Sequence, residues 1–267
     1  MNNIILFDMD GTLTLPRKEI SRSMVHKLKD LSKYAEIGIV TGSGYDYLTQ
    51  QCREMWYDIG TVSPSVITLL PCNGTQVYST GPSLGKFTLK HRADMRQELG
   101  DECVDTIMRC LLSTQYSHCC SNPSHPLTGH FVSYRGSLIN WCPVGRNANH
   151  SQREKFIEYD KKHSVRTNAK SYIEKYLKAF GIENISIALG GSTSVDIFPI
   201  GWDKTYALQH FPDKQCWFVG DSCTENGNDK TIYDYLLKSN RAYMTSSPEQ
   251  TIQIIDKIID LIKKEAS

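Results

Sequence analysis

Residues 4 to 14 read Ile-Ile-Leu-Phe-Asp-Met-Asp-Gly-Thr-Leu-Thr. An apolar run of strand length stops at two aspartates one residue apart. The run reads as a buried strand, so Asp8 and Asp10 stand at its carboxyl end, where open α/β sheets place their ligands. Two acids at that position suit a reaction in which one attacks and the other manages protons.

The residues that follow alternate in period. Ser21–Leu31 reads as a helix with Ile20, Met24, Leu28 and Leu31 on one face, Glu36–Val40 as a strand, Tyr45–Met55 as a helix and Val66–Leu70 as a strand. This βαβαβ order predicts a parallel sheet. Near residue 84 the character changes. Lys86–Lys90 reads as a half-exposed strand, Met95–Leu112 as one long helix and residues 114–129 as a loop. Phe131–Tyr134 and Leu138–Val144 flank Arg135-Gly-Ser as a hairpin. Helices over Gln152–Lys162 and Ala169–Phe180 precede strands Ile185–Leu189 and Ser194–Phe198. From residue 202 the parallel pattern returns, with helix Lys204–Gln209, strand Trp217–Val219, helix Asp229–Leu237, strand Arg241–Met244 and helix Thr251–Ile262. In the last helix Ile252, Ile255, Ile259 and Ile262 are expected inward. The expected fold is α/β: a Rossmann-like parallel-sheet core from residues 1–84 and 200–267, with an α+β cap domain inserted over 85–199.

Composition removes several function classes. The chain has 267 residues, 40% of them hydrophobic, enough for a full core. A formal net charge of +1 argues against nucleic acid or an acidic membrane as partner. No apolar run is long enough to span a bilayer, and no signal-peptide pattern precedes the first strand. Nine scattered cysteines with no CxxC pair read as reduced thiols, so a cytoplasmic location is expected.

Four pieces of the core carry chemistry. Beside the two acids, Ile39-Val-Thr-Gly-Ser43 ends a strand in small hydroxyl residues, and Thr41 and Ser43 both suit a phosphoryl oxygen. Lys204 opens a helix, where its point charge can neutralise an anion. Phe218-Val-Gly-Asp221 ends another strand in an acid, followed by Gly227-Asn228-Asp229; these are hard oxygen donors suited to Mg²⁺. In the insertion, Arg135, Arg146 and Arg153 are close enough in sequence to clamp a phosphate. Arg153 lies in Ser151-Gln-Arg-Glu154, which reads as a capping box. A cation in that first turn costs roughly a few tenths of a kcal/mol unless an anion shares the helix end.

The string Asp8-Met-Asp10-Gly-Thr resembles the nucleophile motif of the haloacid dehalogenase superfamily of phosphoryl-transfer enzymes. The resemblance implies that Asp8 attacks phosphorus, that Asp10 protonates the leaving oxygen and then deprotonates the incoming one, and that Mg²⁺ bridges Asp8 and the phosphate. It makes Asp10, Asp221, Asn228 and Asp229, with Asp8, the metal site. Further segments narrow it: Leu13-Thr-Leu-Pro-Arg17, Pro71-Cys-Asn-Gly74, Phe131 to Arg146, Gly190-Gly-Ser-Thr-Ser-Val-Asp-Ile-Phe-Pro199 and Gly201-Trp-Asp-Lys204. In this order they are similar to the eukaryotic-type phosphomannomutases. The family's substrate-contacting residues carry over to Arg17, Arg135, Asn140, Arg146, Arg153, Ser194 and Asp196. The implied activity is Mg²⁺-dependent interconversion of mannose 6-phosphate and mannose 1-phosphate, activated by a hexose 1,6-bisphosphate, feeding GDP-mannose synthesis. A homodimer through the cap is implied as well. The chain departs from the family at Thr41 (for glycine), Ser192 (for glutamine), Ser222–Asn226 and the divergent stretch 86–130. A sugar-phosphate phosphatase and a sugar-phosphate-binding regulator are the competing readings.

Overall fold

The computed structural model describes residues 1–60, 66–80, 86–122, 125–225 and 227–266. Strand β1 (Asn3–Phe7) is buried at every position. Helix α1 (Arg22–Leu31) begins where the Ser21 hydroxyl accepts the Met24 N–H, and it buries Met24, Val25, Leu28 and Leu31. Then follow β2 (Glu36–Val40), α2 (Tyr45–Gly60), β3 (Ile67–Leu70), β4 (Gln76–Thr80) and β5 (Phe87–Arg92). The chain continues with α3 (Met95–Leu99), α4 (Asp101–Ser121), β6 (Val132–Tyr134), β7 (Ile139–Trp141), α5 (His150–His163), α6 (Val165–Ala179), β8 (Ile185–Gly190) and β9 (Ser194–Pro199). A 3₁₀ helix (Lys204–His210) leads to β10 (Gln215–Gly220), α7 (Lys230–Leu237), β11 (Ala242–Met244) and α8 (Pro248–Ala266).

The chain divides into two compact units, residues 1–92 with 202–267, and residues 93–201. The first holds a seven-stranded sheet in the order β11-β10-β1-β2-β3-β4-β5. β1 lies between β10 and β2 and runs parallel to both. Its side chains alternate between two apolar layers. Ile5 and Phe7 join α1, α2 and α8; Ile4 and Leu6 join α7 and the 3₁₀ helix. From β1 the chain winds outward to β2 and β3, and on its return fills the other side with β10 and β11. The carboxyl end of β1 is therefore the switch point of the sheet.

β4 and β5 add antiparallel pairs to the edge. β4 was not expected, because Gln76-Val-Tyr-Ser-Thr80 has no apolar run to mark it. β5 was expected to open the cap. It pairs with β4 from Gln76↔Arg92 to Thr80↔Phe87, so the boundary expected at residue 84 falls after Arg92. The return boundary falls between Gly201 and Trp202.

The second unit has an antiparallel sheet in the order β6-β7-β9-β8. The single long helix expected over Met95–Leu112 is two helices, because Gly100 breaks it at φ 84, ψ 155. α4 then runs to Ser121, through residues expected to be loop. The polar residues there work inside the unit. Thr114 donates to the Cys110 carbonyl, and Gln115 donates to the Pro143 carbonyl and accepts from the Trp141 indole. The capping box of α5 also differs from expectation. It joins Asn149 and Gln152, each side chain accepting the other's N–H, and Ser151 lies inside the helix. In α8, Ile254, Ile255, Ile258, Ile259 and Ile262 are buried, and Ile252 is only partly so.

Candidate active site

Three carboxylates, from Asp8, Asp221 and Asp229, offer oxygens within 4.8 Å of one another. Two are placed by strand ends and the third by the start of a helix. Asp8 follows β1 and its N–H donates to the Val219 carbonyl at 2.9 Å. Asp221 follows β10, and Asp229 sits just before α7, where its Oδ2 accepts the Ser222 N–H at 3.0 Å. Two glycines make the convergence sterically feasible. A Cβ at Gly11 would run into the Asp221 carboxylate, and one at Gly220 into that of Asp229.

Lys204 stands between two of these acids. Asp203 caps the 3₁₀ helix through the Thr205 N–H, and the next residue, Lys204, is fully buried. Its ammonium donates to Asp8 Oδ1 and to Asp229 Oδ1. Burial opposes that charge, but the Asp229 and Asp8 carboxylates outweigh it and push the lysine pKa up. The acids are less well compensated. Burial, then the neighbouring Asp229 and Asp221, raises Asp8 well above the usual carboxylate range against the pull of Lys204. Asp221 is pushed up to about 6, by burial first and Asp229 second. Asp8 and Asp229 are buried and Asp221 is more open; with all three ionised, one ammonium would leave two negative charges uncompensated. That deficit and the all-oxygen donor set fit one hard divalent cation.

Asp10, expected among the metal ligands, lies outside this trio, held by hydrogen-bond donors of its own. Its Oδ1 accepts from the Arg17 N–H at 3.2 Å, the Tyr47 hydroxyl at 3.3 Å and the Gln51 amide at 3.3 Å. Arg17 itself is exposed and holds a left-handed backbone, φ 62, which turns its N–H toward Asp10. Thr41 is buried and its hydroxyl accepts the Ser43 N–H at 3.1 Å. Ser43 is half-buried, and Asn228 is half-buried beside Asp229.

The second unit gathers its own polar group. Asn140 on β7 lies opposite Asp196 on β9 and donates to its Oδ1 at 2.6 Å. Arg146 donates to the Asn140 side-chain oxygen Oδ1 at 2.9 Å. Asp196 is pushed up by burial, against Arg135, Asn140 and Arg146, which pull it down. Arg153 reaches the Ser192 hydroxyl at 3.4 Å. Ser194, buried, starts β9, and its carbonyl accepts from Arg166. Arg166 pairs with Asp160 at 2.7 Å and also holds the Gly191 carbonyl, tying the β8–β9 turn to the helices. Sequence reasoning passed over Tyr47, Gln51, Arg166 and Asp160, whose partners are remote in sequence or ordinary in type.

Comparison with known proteins bears on the family and the fold. The family model for eukaryotic phosphomannomutase matches residues 24–261. Phosphomannomutase 2 of Dictyostelium discoideum is 32% identical over 260 residues, covering 96% of each chain. The phosphomannomutase of Spinacia oleracea is 33% identical over 264 residues, covering 98% of this chain and 97% of that one. Among solved structures, N-terminally truncated IMP-nucleotidase of Plasmodium falciparum superposes with a TM-score of 0.65 at 14% identity, covering 96% of this chain and 70% of that one. A trehalose-6-phosphate phosphatase related protein gives 0.52 at 14% identity, covering 99% and 100%. These two share the fold, a parallel-sheet core of the haloacid dehalogenase type. By the extent of the family match and by the identity of its full-length relatives, the chain belongs to the eukaryotic phosphomannomutase family.

Proposed function

We propose that the protein interconverts mannose 6-phosphate and mannose 1-phosphate through an aspartyl phosphate on Asp8, with a hexose 1,6-bisphosphate as activator. The observation that carries this reading is the Arg146–Asn140–Asp196 chain, with Arg135 beside it, on the inserted unit. A phosphatase needs only the acids and lysine of the core. A mutase must also hold a second phosphate on the sugar, and this cluster supplies cationic and hydrogen-bonding groups for it.

In this reading Asp8 attacks phosphorus and Lys204 neutralises the charge that builds on the phosphoryl oxygens. Thr41 and Ser43, after β2, offer hydroxyl donors to the same oxygens. Asp10 gives its proton to the departing sugar oxygen and takes one from the incoming hydroxyl. Asp8, Asp221 and Asp229 would hold Mg²⁺, with Asn228 next to them; the cation supplies charge neutralisation for two anions that must meet. Arg17, Arg135, Arg146, Arg153, Asn140, Ser194 and Asp196 bind the sugar phosphate. A cytoplasmic location and pairing with a second copy through the inserted unit complete the proposal, supported by family membership and nine free cysteines.

The test is a coupled mutase assay on mannose 1-phosphate and glucose 1-phosphate, beside phosphate release, each with and without hexose bisphosphate. Mutase turnover that rises with bisphosphate, stops with EDTA and returns with Mg²⁺ is expected. Phosphate release that matches or exceeds isomerisation would favour the phosphatase.

A further inference from the structure

We propose that Tyr47 is a positioning residue for Asp10: its phenol, with the Gln51 amide beside it, ties down one oxygen of the carboxyl group so that the other faces the oxygen leaving phosphorus. The inference rests on the proton-carrying role given to Asp10 above.

The geometry is one-sided. Three donors converge on Asp10 Oδ1: the Arg17 N–H, the Tyr47 hydroxyl and the Gln51 amide. Among the described residues no hydrogen bond ends on Oδ2. Three donors crowd the lone-pair directions of Oδ1, which leaves Oδ2 as the oxygen open to a substrate. The donors thus choose which oxygen faces it. They also stop the carboxyl group from rotating, which a freely turning side chain would do at an entropic cost at each transfer.

Each donor is itself fixed. Tyr47 and Gln51 are four residues apart on α2, so they share one face of the helix. Gln51 has two ways to place its amide. The Thr14 hydroxyl has two acceptors, the Met9 carbonyl at 3.3 Å and Gln51 Oε1 at 2.8 Å; the shorter bond, to Gln51, goes with Nε2 facing Asp10. Burial, and then the Asp10 charge, pushes the Tyr47 phenol up to about 12, so it remains a donor at neutral pH. Thr14 lies on the same turn as Asp10, joined to it by a bridge, so the support closes on itself.

The step served is balanced. A bond forms between an Asp8 oxygen and phosphorus, the bond from phosphorus to the sugar oxygen breaks, and the Asp10 proton moves to that sugar oxygen. The return transfer reverses each part, and nothing is oxidised or reduced.

The experiment compares two phosphoryl donors in single-turnover labelling of Asp8. A hexose 1,6-bisphosphate must expel an alkoxide and needs the Asp10 proton. 2,4-Dinitrophenyl phosphate expels a stable phenolate and needs none. Asp10→Asn is expected to slow the first donor far more than the second. Tyr47→Phe should show the same split, with the bisphosphate rate falling about tenfold more than the aryl phosphate rate and with KM little changed. Gln51→Met, which removes the neighbouring donor, should repeat the split even if Tyr47→Phe folds poorly. If Asp10→Asn shows the split and both Tyr47→Phe and Gln51→Met slow the two donors equally, the positioning role is overturned while the role of Asp10 stands. If Asp10→Asn shows no split, Asp10 is not the acid, and the inference falls with it.

Discussion

Asp8 is held where its charge is least welcome. Burial and two acidic neighbours raise its pKa, which means that the folded protein would be more stable without that negative charge. Asp8→Asn is therefore expected to abolish phosphoenzyme formation without lowering the melting temperature of the metal-free protein. Acid-stable labelling and a thermal melt check the two halves; turnover within about tenfold of wild type would remove Asp8 from the reaction. Lys204 has the opposite character. Its removal leaves Asp8 and Asp229 buried and facing each other, so Lys204→Met should cost about 3 kcal/mol of stability as well as activity, read by urea unfolding. Asp8, Lys204, Asp221 and Asp229 were legible in the sequence because each sits at the end of a recognisable element. Tyr47 and Gln51 were not. Their partner Asp10 lies 37 and 41 positions away, and nothing local in α2 marks a tyrosine or glutamine that faces a carboxylate.

Elements were legible where burial is repetitive. β1, β2 and α1 announce themselves by apolar runs or a 3.6-residue stripe, and their observed limits fall within a residue of expectation. β4 was missed because it has no apolar run, and the last turns of α4 because Gln115 there is satisfied by the remote Pro143 and Trp141. His118, near the end of α4, shows this. It is buried, its Nε2 is 3.4 Å from His125 Nδ1, and its ring meets Trp141 and Phe156 edge-on. Burial first and His125 second lower its pKa from 6.5 to about 4. Below about 6.5 the unfolded chain takes a proton that the folded one refuses, so the contribution is intact above that pH and is lost as pH falls toward 4. His125, also lowered, adds in the same direction. Allowing for partial solvent screening, the loss should reach about 2 kcal/mol. Melting temperatures from pH 7 to 4.5 should fall in wild type and fall less in His118→Gln; parallel curves would show that His118 does not carry the effect.

At the scale of the molecule, an interrupted α/β domain could be read from the change of pattern and its return, but the point of interruption could not, because β5 belongs to the core by pairing alone. The division of labour between the units can be tested separately from either. Removing one charge-assisted partner of a desolvated phosphate typically costs about 2–5 kcal/mol. Arg146→Ala should lose mutase activity on that scale, while hydrolysis of acetyl phosphate, which carries a single phosphate, falls far less. Equal losses in both assays would mean that the cluster around Arg146 does not hold a second phosphate.

Where the insertion joins the core carries a consequence of its own. Arg92, the last residue before it, is paired with Gln76, and the Trp202 carbonyl, the first after it, accepts from the Asn73 side chain at 3.3 Å. The chain leaves and re-enters at one corner of the sheet. All seven strands of the core lie outside residues 93–201, so excising that stretch breaks none of their pairings. A few glycines and serines suffice to close the gap, since loop entropy grows slowly with length. What remains would keep Asp8, Lys204, Asp221 and Asp229 and lack Arg135, Asn140, Arg146 and Asp196, so under the proposed function it should hydrolyse phosphate esters without isomerising them.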